Sequence, residues 1–326
     1  MTTRVLITTD YLRPGDAVDD YLRDAGMQTL HLPMHGARDP RELVAALAGV
    51  DAALIANEPM TDGVLRHADR LRVVVRTGVG YDSVDVVAAA QHGISVSNLP
   101  GINANAVAEF TLGLLLTSAR RLVQLSAGVA AGGWPRGDGH ELRGSTLGLI
   151  GLGASARAVV PLARAFGMEV LCTTRVPADE RTDVAATVVG LDELLARSDY
   201  VSIHTALDET TRGLIDAAAL ARMKPTAVLL NTARGGIVDE PALADAVRRG
   251  VIAGAALDVV AAEPLPADSV LRGIDGIVIT SHMAGQTAEA RAAAGIRGAE
   301  ELVAALAGRA QHRVNAHLLD ARGVSA

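Results

Sequence analysis

At 326 residues, with a formal net charge of −7 and a pI of about 5.7, the chain is too long for one ordinary core and too acidic for a general nucleic-acid or anionic-membrane surface. Apolar residues make up 49% of it, enough for sizeable cores, yet no apolar run is long enough to span a bilayer. The lone Cys172 excludes an intrachain disulfide and fits a reducing compartment, and the opening MTTRVLITTD has no signal-peptide pattern, so a cytoplasmic protein is expected.

The elements alternate from the start. Strands are predicted at Arg4–Thr8, Thr29–Leu32, Ala52–Ile55, Val73–Val75 and Ile94–Ser97. Helices are predicted at Asp16–Ala25, from Pro40 to near Gly49, at Thr61–Ala68 and over 83–91, with Pro40 in a first turn and Thr61 or Asp62 as a cap. Repeated βα units of this kind build a parallel sheet with helices on both faces. A strongly apolar run, AVAEFTLGLLLTSARRLVQLSAGVAAG (106–132), then predicts one long helix, apolar on most faces and therefore buried in its own domain or against a second subunit. Further strands are expected at Thr146–Ile150, Met168–Thr173, Tyr200–His204, Ala227–Asn231, Ala253–Val259 and Ile277–Thr280. The helices among them are Leu191–Arg197, Asp216–Met223, Glu240–Arg249 and a last, Ala-rich one at Thr287–Ala307.

The stretch Ser145–Arg175 organises this second half. Gly151, Gly153 and Ala156 stand at G-x-G-x-x-G/A spacing between a strand and a helix. Gly151 permits a sharp turn, Gly153 lets a pyrophosphate approach the backbone, and Ala156 lets helix pack on strand, while Ala154 and Ser155 open the helix whose N–H groups face the phosphates. This is a dinucleotide-binding pattern in its required context. At the tip of the following strand the usual acid is absent, and Thr174 and Arg175 stand there instead. A carboxylate would repel a ribose 2′-phosphate, whereas a hydroxyl beside a guanidinium binds one, so NADP is favoured over NAD.

Three later strand ends carry ionisable residues: Arg234 before two glycines, Glu263 in the loop after Asp258, and His282 before a flexible loop. An Arg fork matches a carboxylate, and His exchanges protons near neutral pH with a carboxylate to fix its tautomer. Asp258, alone in an apolar strand, reads equally well as a satisfied buried carboxylate. The expected organisation is a substrate domain of 1–100 plus 288–326, a Rossmann dinucleotide domain of 101–287 inserted in it, and a cleft between the two doubly wound parallel-sheet domains as the active site.

The segments RTGVGYDSVD (76–85), GISVSNLPGINANAVAE (93–109), TLGLIGLG (146–153), VSIHTALDETTRGLI (201–215), LLNTARGGIVDEPAL (229–243), AALDVVAAEPLP (255–266) and SHMAGQT (281–287) together resemble the D-isomer-specific 2-hydroxyacid dehydrogenases. The resemblance implies that Arg234, Glu263 and His282 are catalytic. It implies that the N–H groups of Val79 and Gly80 grip the substrate carboxylate beside Arg234 and His282, and that Asp258 holds the nicotinamide carboxamide. His204, Thr205, Ala206, Thr232, Ala233 and Gly285 would line the cofactor, and the helix after Asn103 would build a homodimer. The sequence departs from the family pattern at Ala154, Ser155 and Ala156, where an Arg, an isoleucine and a third glycine are usual, at Thr174, and at Ala206, where a proline is common. The implied activity is reversible NAD(P)H-dependent reduction of a 2-oxo acid, of glyoxylate or hydroxypyruvate type, to a D-2-hydroxy acid, with no nucleic-acid or membrane partner and no metal. Phosphoglycerate or phosphite oxidation on the same scaffold, or a nucleotide-sensing corepressor-like role, are the alternatives.

Overall fold

The computed structural model describes residues 2–34, 39–175 and 184–321, so the end of the expected segment 288–326 lies outside the described residues. It contains two compact units, one running to Asn103 and resuming at Thr287, the other Ala104–Gln286. Both are α/β units whose strands pair with one another in parallel, with one isolated antiparallel bridge, Ser97 to Arg313, among the described residues.

The first unit holds β1 (Thr3–Ile7), β2 (Met27–His31), β3 (Ala52–Ile55), β4 (Val73–Arg76) and β5 (Ser95–Ser97), in the order β2-β1-β3-β4-β5. The inner strands are continuous apolar runs because a parallel strand is covered on both faces. Val5, Leu6, Ile7 and all of Ala52–Ile55 are fully buried. Around them lie α1 (Ala17–Asp24), α2 (Pro40–Leu47), α3 (Asp62–Leu65) and α4 (Val86–Gln91). The unit is completed from the C-terminal segment. There α11 (Ala288–Leu306) seats two glycines on it: a Cβ on Gly298 would meet Leu54 at 2.9 Å, and one on Gly295 would meet Leu12 at 2.9 Å. Asn315 then ties the start of α12 (Ala316–Asp320) to β5, accepting from the Val96 N–H at 3.0 Å and donating to the Ile94 carbonyl at 2.8 Å.

The second unit holds β6 (Thr146–Ile150), β7 (Glu169–Thr173), β8 (Thr187–Val188), β9 (Tyr200–Ile203), β10 (Val228–Asn231), β11 (Gly254–Leu257) and β12 (Ile277–Ile279), in the order β12-β11-β10-β9-β6-β7-β8. The chain reverses direction across the sheet beside β6, and ligands of open parallel sheets sit at such a switch point, outside the carboxyl ends of the strands. The helices are α5 (Ala104–Arg120), α6 (Leu122–Ala130), α7 (Ala154–Ala165), α8 (Leu191–Arg197), α9 (Ala217–Arg222) and α10 (Glu240–Arg248).

One expectation is corrected. The run 106–132 is two helices, broken at Arg121, whose backbone is left-handed with φ 53°. Burial applies to α5, which encloses Leu112, Leu114 and Leu115, whereas α6 has no buried residue and exposes Leu122, Val123 and Val129.

Candidate active site

The glycine turn lies between β6 and α7. Gly151 has φ +105°, and a Cβ there would stand 2.5 Å from the His204 carbonyl oxygen, so only glycine allows β6 and the end of β9 to lie this close. Gly153 is the N-cap of α7, with no side chain capping the helix and nothing within 4 Å of where its Cβ would be. The first turn of α7 therefore presents uncapped N–H groups to open space, an arrangement that fits the phosphates of a dinucleotide. Ala154 is the first helical residue and Ser155 the second; Ser155 Oγ lies 3.2 Å from His204 Nδ1, and Ser202 Oγ lies 2.9 Å from His204 Nε2. Burial pushes the His204 pKa down to about 4, so the ring is neutral at pH 7.

Beyond β7, Thr174 and Arg175 occupy the tip. Arg175 is held by a residue that sequence reasoning missed: its Nη2 donates to Asp208 Oδ2 at 3.0 Å and its Nη1 to Thr210 Oγ1 at 3.3 Å. Asp208 also accepts from the Thr210 and Thr211 N–H groups at 2.9 and 3.0 Å. Hydrogen bonds from the Thr210 and Arg175 side chains hold its carboxyl below the usual carboxylate range. The run Asp208–Thr211 signals an Asx turn, but nothing local signals its partner across 33 residues. Thr205 N is close behind Gly151, the Ala206 carbonyl accepts from Thr211 Oγ1 at 2.7 Å, and Thr232 Oγ1 meets Thr111 Oγ1 at 3.4 Å.

The ionisable residues gather at the ends of β10, β11 and β12. Asn231 staples the turn after β10, donating to the Arg234 carbonyl at 2.8 Å and accepting from the Ala233 N–H at 3.0 Å. A Cβ on Gly235 would overlap Val260 and Ala261, at 1.9 to 2.3 Å, so this glycine lets the Arg234 turn lie directly on the loop that carries Glu263. Arg234 Nη1 donates to the Ala233 carbonyl at 2.8 Å, and its charge acts on Glu263. Glu263 Oε2 meets His282 Nδ1 at 2.8 Å. Burial pushes the Glu263 carboxyl up, but the hydrogen bond and charge of His282, the Val260 N–H and the Arg234 charge outweigh it and hold the group below its ordinary value. Glu263 is thus an acceptor, Nδ1 carries the proton between them, and His282 Nε2 has no protein partner among the described residues.

His282 sits at φ +60°, a left-handed backbone held from one side by Asp258. The Asp258 carbonyl accepts from the His282 N–H at 2.8 Å. Its carboxylate, 1% exposed, accepts from Thr280 Oγ1 at 2.5 Å and from the N–H groups of Met283 and Ala284 at 2.9 and 2.7 Å, just ahead of Gly285. In the first unit, Val79 and Gly80 follow β4, the Val79 carbonyl accepts from Asn98 Nδ2 at 2.6 Å, and among the described residues neither N–H has an acceptor. No group of three or more metal-ligating side chains occurs among the described residues, and no helix there is long and apolar enough to cross a membrane.

Residues 112–284, more than half of the chain, match the family model for the NAD-binding domain of D-isomer specific 2-hydroxyacid dehydrogenases, and the chain belongs to that family. It is 37% identical over 196 residues to a hydroxypyruvate reductase of Thermotoga maritima, covering 59% of this chain and 63% of that one. It is 41% identical over 274 residues to a D-3-phosphoglycerate dehydrogenase of Mycobacterium leprae, covering 83% of this chain and 52% of that one. It thus spans between about half and just under two thirds of these curated relatives. Among solved structures, the NADPH-dependent glyoxylate/hydroxypyruvate reductase of Sinorhizobium meliloti, in complex with NADP and malonate, superposes with a TM-score of 0.83 at 28% identity, over 96% of this chain and 97% of that one.

Proposed function

We propose that the chain catalyses reversible reduction of a 2-oxo acid to a D-2-hydroxy acid with NADPH or NADH, and that glyoxylate and hydroxypyruvate are the favoured substrates. The observation that carries this is the His282–Glu263 pair, 2.8 Å apart, on the same sheet edge as an uncapped glycine turn. A bound reduced nicotinamide supplies a hydride. The chain's own residues supply the rest. Gly151, Gly153 and the first turn of α7 take the phosphates. The Arg234 fork takes the substrate carboxylate and polarises the neighbouring keto group. His282, protonated and paired with Glu263, gives the Nε2 proton to the developing alkoxide, and takes it back in the reverse direction. Asp258 holds the backbone from which His282 works and would face the nicotinamide carboxamide.

Arg175 and Thr174 support a preference for NADP, which Asp208 tempers by competing for the guanidinium. The exposed apolar residues of α6, with Trp134 78% exposed beyond it, support a homodimer. With Cys172 as its single cysteine the chain can form no intrachain disulfide, which supports a cytoplasmic location. A second reading, phosphoglycerate oxidation, is favoured by the 41% identity to the mycobacterial enzyme and by Arg76, a cation at the end of β4 whose Nη2 donates to Asn57 Oδ1.

A panel of glyoxylate, hydroxypyruvate, pyruvate, branched 2-oxo acids, phosphite and 3-phosphoglycerate, each with both nucleotides, tests these readings. The expected result is the highest kcat/KM with glyoxylate or hydroxypyruvate, and D-glycerate from the latter. Turnover of 3-phosphoglycerate alone would select the second reading. No turnover with any member would leave a nucleotide-sensing role.

A further inference from the structure

The glycine turn carries an additional device, legible in the hydrogen-bond inventory around His204. Ser202 is fully buried, and among the described residues the only hydrogen-bond partner of its hydroxyl is His204 Nε2, at 2.9 Å. A buried hydroxyl that donates to nothing is costly, so its hydrogen goes to Nε2. Nε2 is then the acceptor of the neutral ring, and the one ring proton sits on Nδ1. Nδ1 faces Ser155 Oγ at 3.2 Å, so Ser155 accepts there and its own hydrogen is left to donate elsewhere. Ser155 is half-buried on the first turn of α7, among uncapped N–H groups beside the open space over Gly153.

We propose that the Ser155 hydroxyl is a ligand of the dinucleotide's phosphates, and that Ser202 and His204 are positioning residues that fix the ring tautomer and aim this hydroxyl outward. The inference rests on the reading of the turn as a dinucleotide site. It adds a side-chain donor to a turn otherwise served by backbone. It also gives a role to the buried polar chain Ser202–His204–Ser155.

Titration of the full-length protein with NADPH and with NADH, followed by the fluorescence of the bound nucleotide, tests it. Ser155→Ala is expected to weaken both by about tenfold, equivalent to about 1.4 kcal/mol. Ser155→Thr, which restores the hydroxyl, should bind near the wild-type affinity, and Ser202→Ala should fall between. Adenosine, which carries no phosphate, should compete equally well with wild type and Ser155→Ala. Long-range ¹H–¹⁵N correlation on the ligand-free protein should show His204 protonated on Nδ1. Unchanged affinity in Ser155→Ala, an equal loss for adenosine, or a ring protonated on Nε2 would each overturn the proposal. A wild-type protein that binds neither nucleotide would overturn it together with the dinucleotide reading, and the wild-type titration separates the two failures.

Discussion

Each unit of the molecule carries a histidine paired with a carboxylate at a strand end, and the two pairs differ in what surrounds them. In the first unit His31 Nε2 meets Asp19 Oδ1 at 3.0 Å, with the side chains 7% and 1% exposed. Asp19 also accepts from Thr29 Oγ1 at 2.5 Å, the Gly15 N–H at 2.8 Å and Arg23 Nε at 2.9 Å. Burial pushes its carboxyl up, but these bonds outweigh it and hold the group far below the usual range. The other ring nitrogen, His31 Nδ1, is enclosed and has no partner among the described residues. In the second unit His282 and Glu263 are 33% and 29% exposed, and the free nitrogen is accessible. Pairing distance therefore does not distinguish the proposed proton donor from a structural tie. What does is whether the second nitrogen can reach a reacting atom.

The sharpest way to break this contrast is to delete each histidine. His282→Ala should lose about 10²–10⁴-fold in kcat with little change in stability. His31→Ala should keep kcat and lose about 2 kcal/mol of stability by urea titration, since a packed ring leaves and a buried carboxylate loses a donor. The reverse pattern would exchange the two roles.

His204, enclosed like His31, sharpens the contrast through pH. Its folded pKa of about 4 lies below the ordinary 6.5, so the unfolded chain takes up a proton between these values and the folded one does not. Stability is complete above pH 6.5 and falls as pH drops toward 4, by about 2–3 kcal/mol at pH 4.5. His204→Gln should flatten this slope, which urea midpoints at pH 7 and 4.5 would show. The Asp19 contribution runs lower: it is complete above the ordinary carboxylate value and is lost as pH falls below it, so Asp19→Asn should flatten only the more acid part of the curve.

The smallest expected effect is at the tip of β7. Asp208→Asn frees Arg175 from a competing carboxylate, and the NADPH-over-NADH ratio of kcat/KM should rise about threefold at low salt. The gain should shrink as ionic strength rises. A ratio that does not move would remove Asp208 from cofactor selection.

The alternation of the fold was legible because doubly covered strands such as Ala52–Ile55, and Val228–Asn231 up to its last residue, are short apolar runs between helices. The break at Arg121 was not, since it contains neither Gly nor Pro and is set by a single left-handed residue. The five-residue α12 and the short turn Gly235–Ile237 carry too few residues for a period to show. At the site, Arg234, Glu263 and His282 stood out as charges at strand ends, and the structure brings Glu263 and His282 into hydrogen-bond contact. The pairs His31–Asp19 and Arg175–Asp208 did not stand out, because packing rather than spacing joins residues 12 and 33 positions apart.

The central claim is that His282 donates the proton and that Glu263, 2.8 Å from Nδ1, fixes the ring for that transfer. The kcat for hydroxypyruvate reduction, compared between wild type, Glu263→Gln and Glu263→Ala, tests it most directly. Without an acceptor at Nδ1 the tautomer and aim of the ring are no longer set, so Glu263→Ala should lose about 10²-fold in kcat, with Glu263→Gln between it and wild type. A Glu263→Ala enzyme with the wild-type kcat would contradict the account.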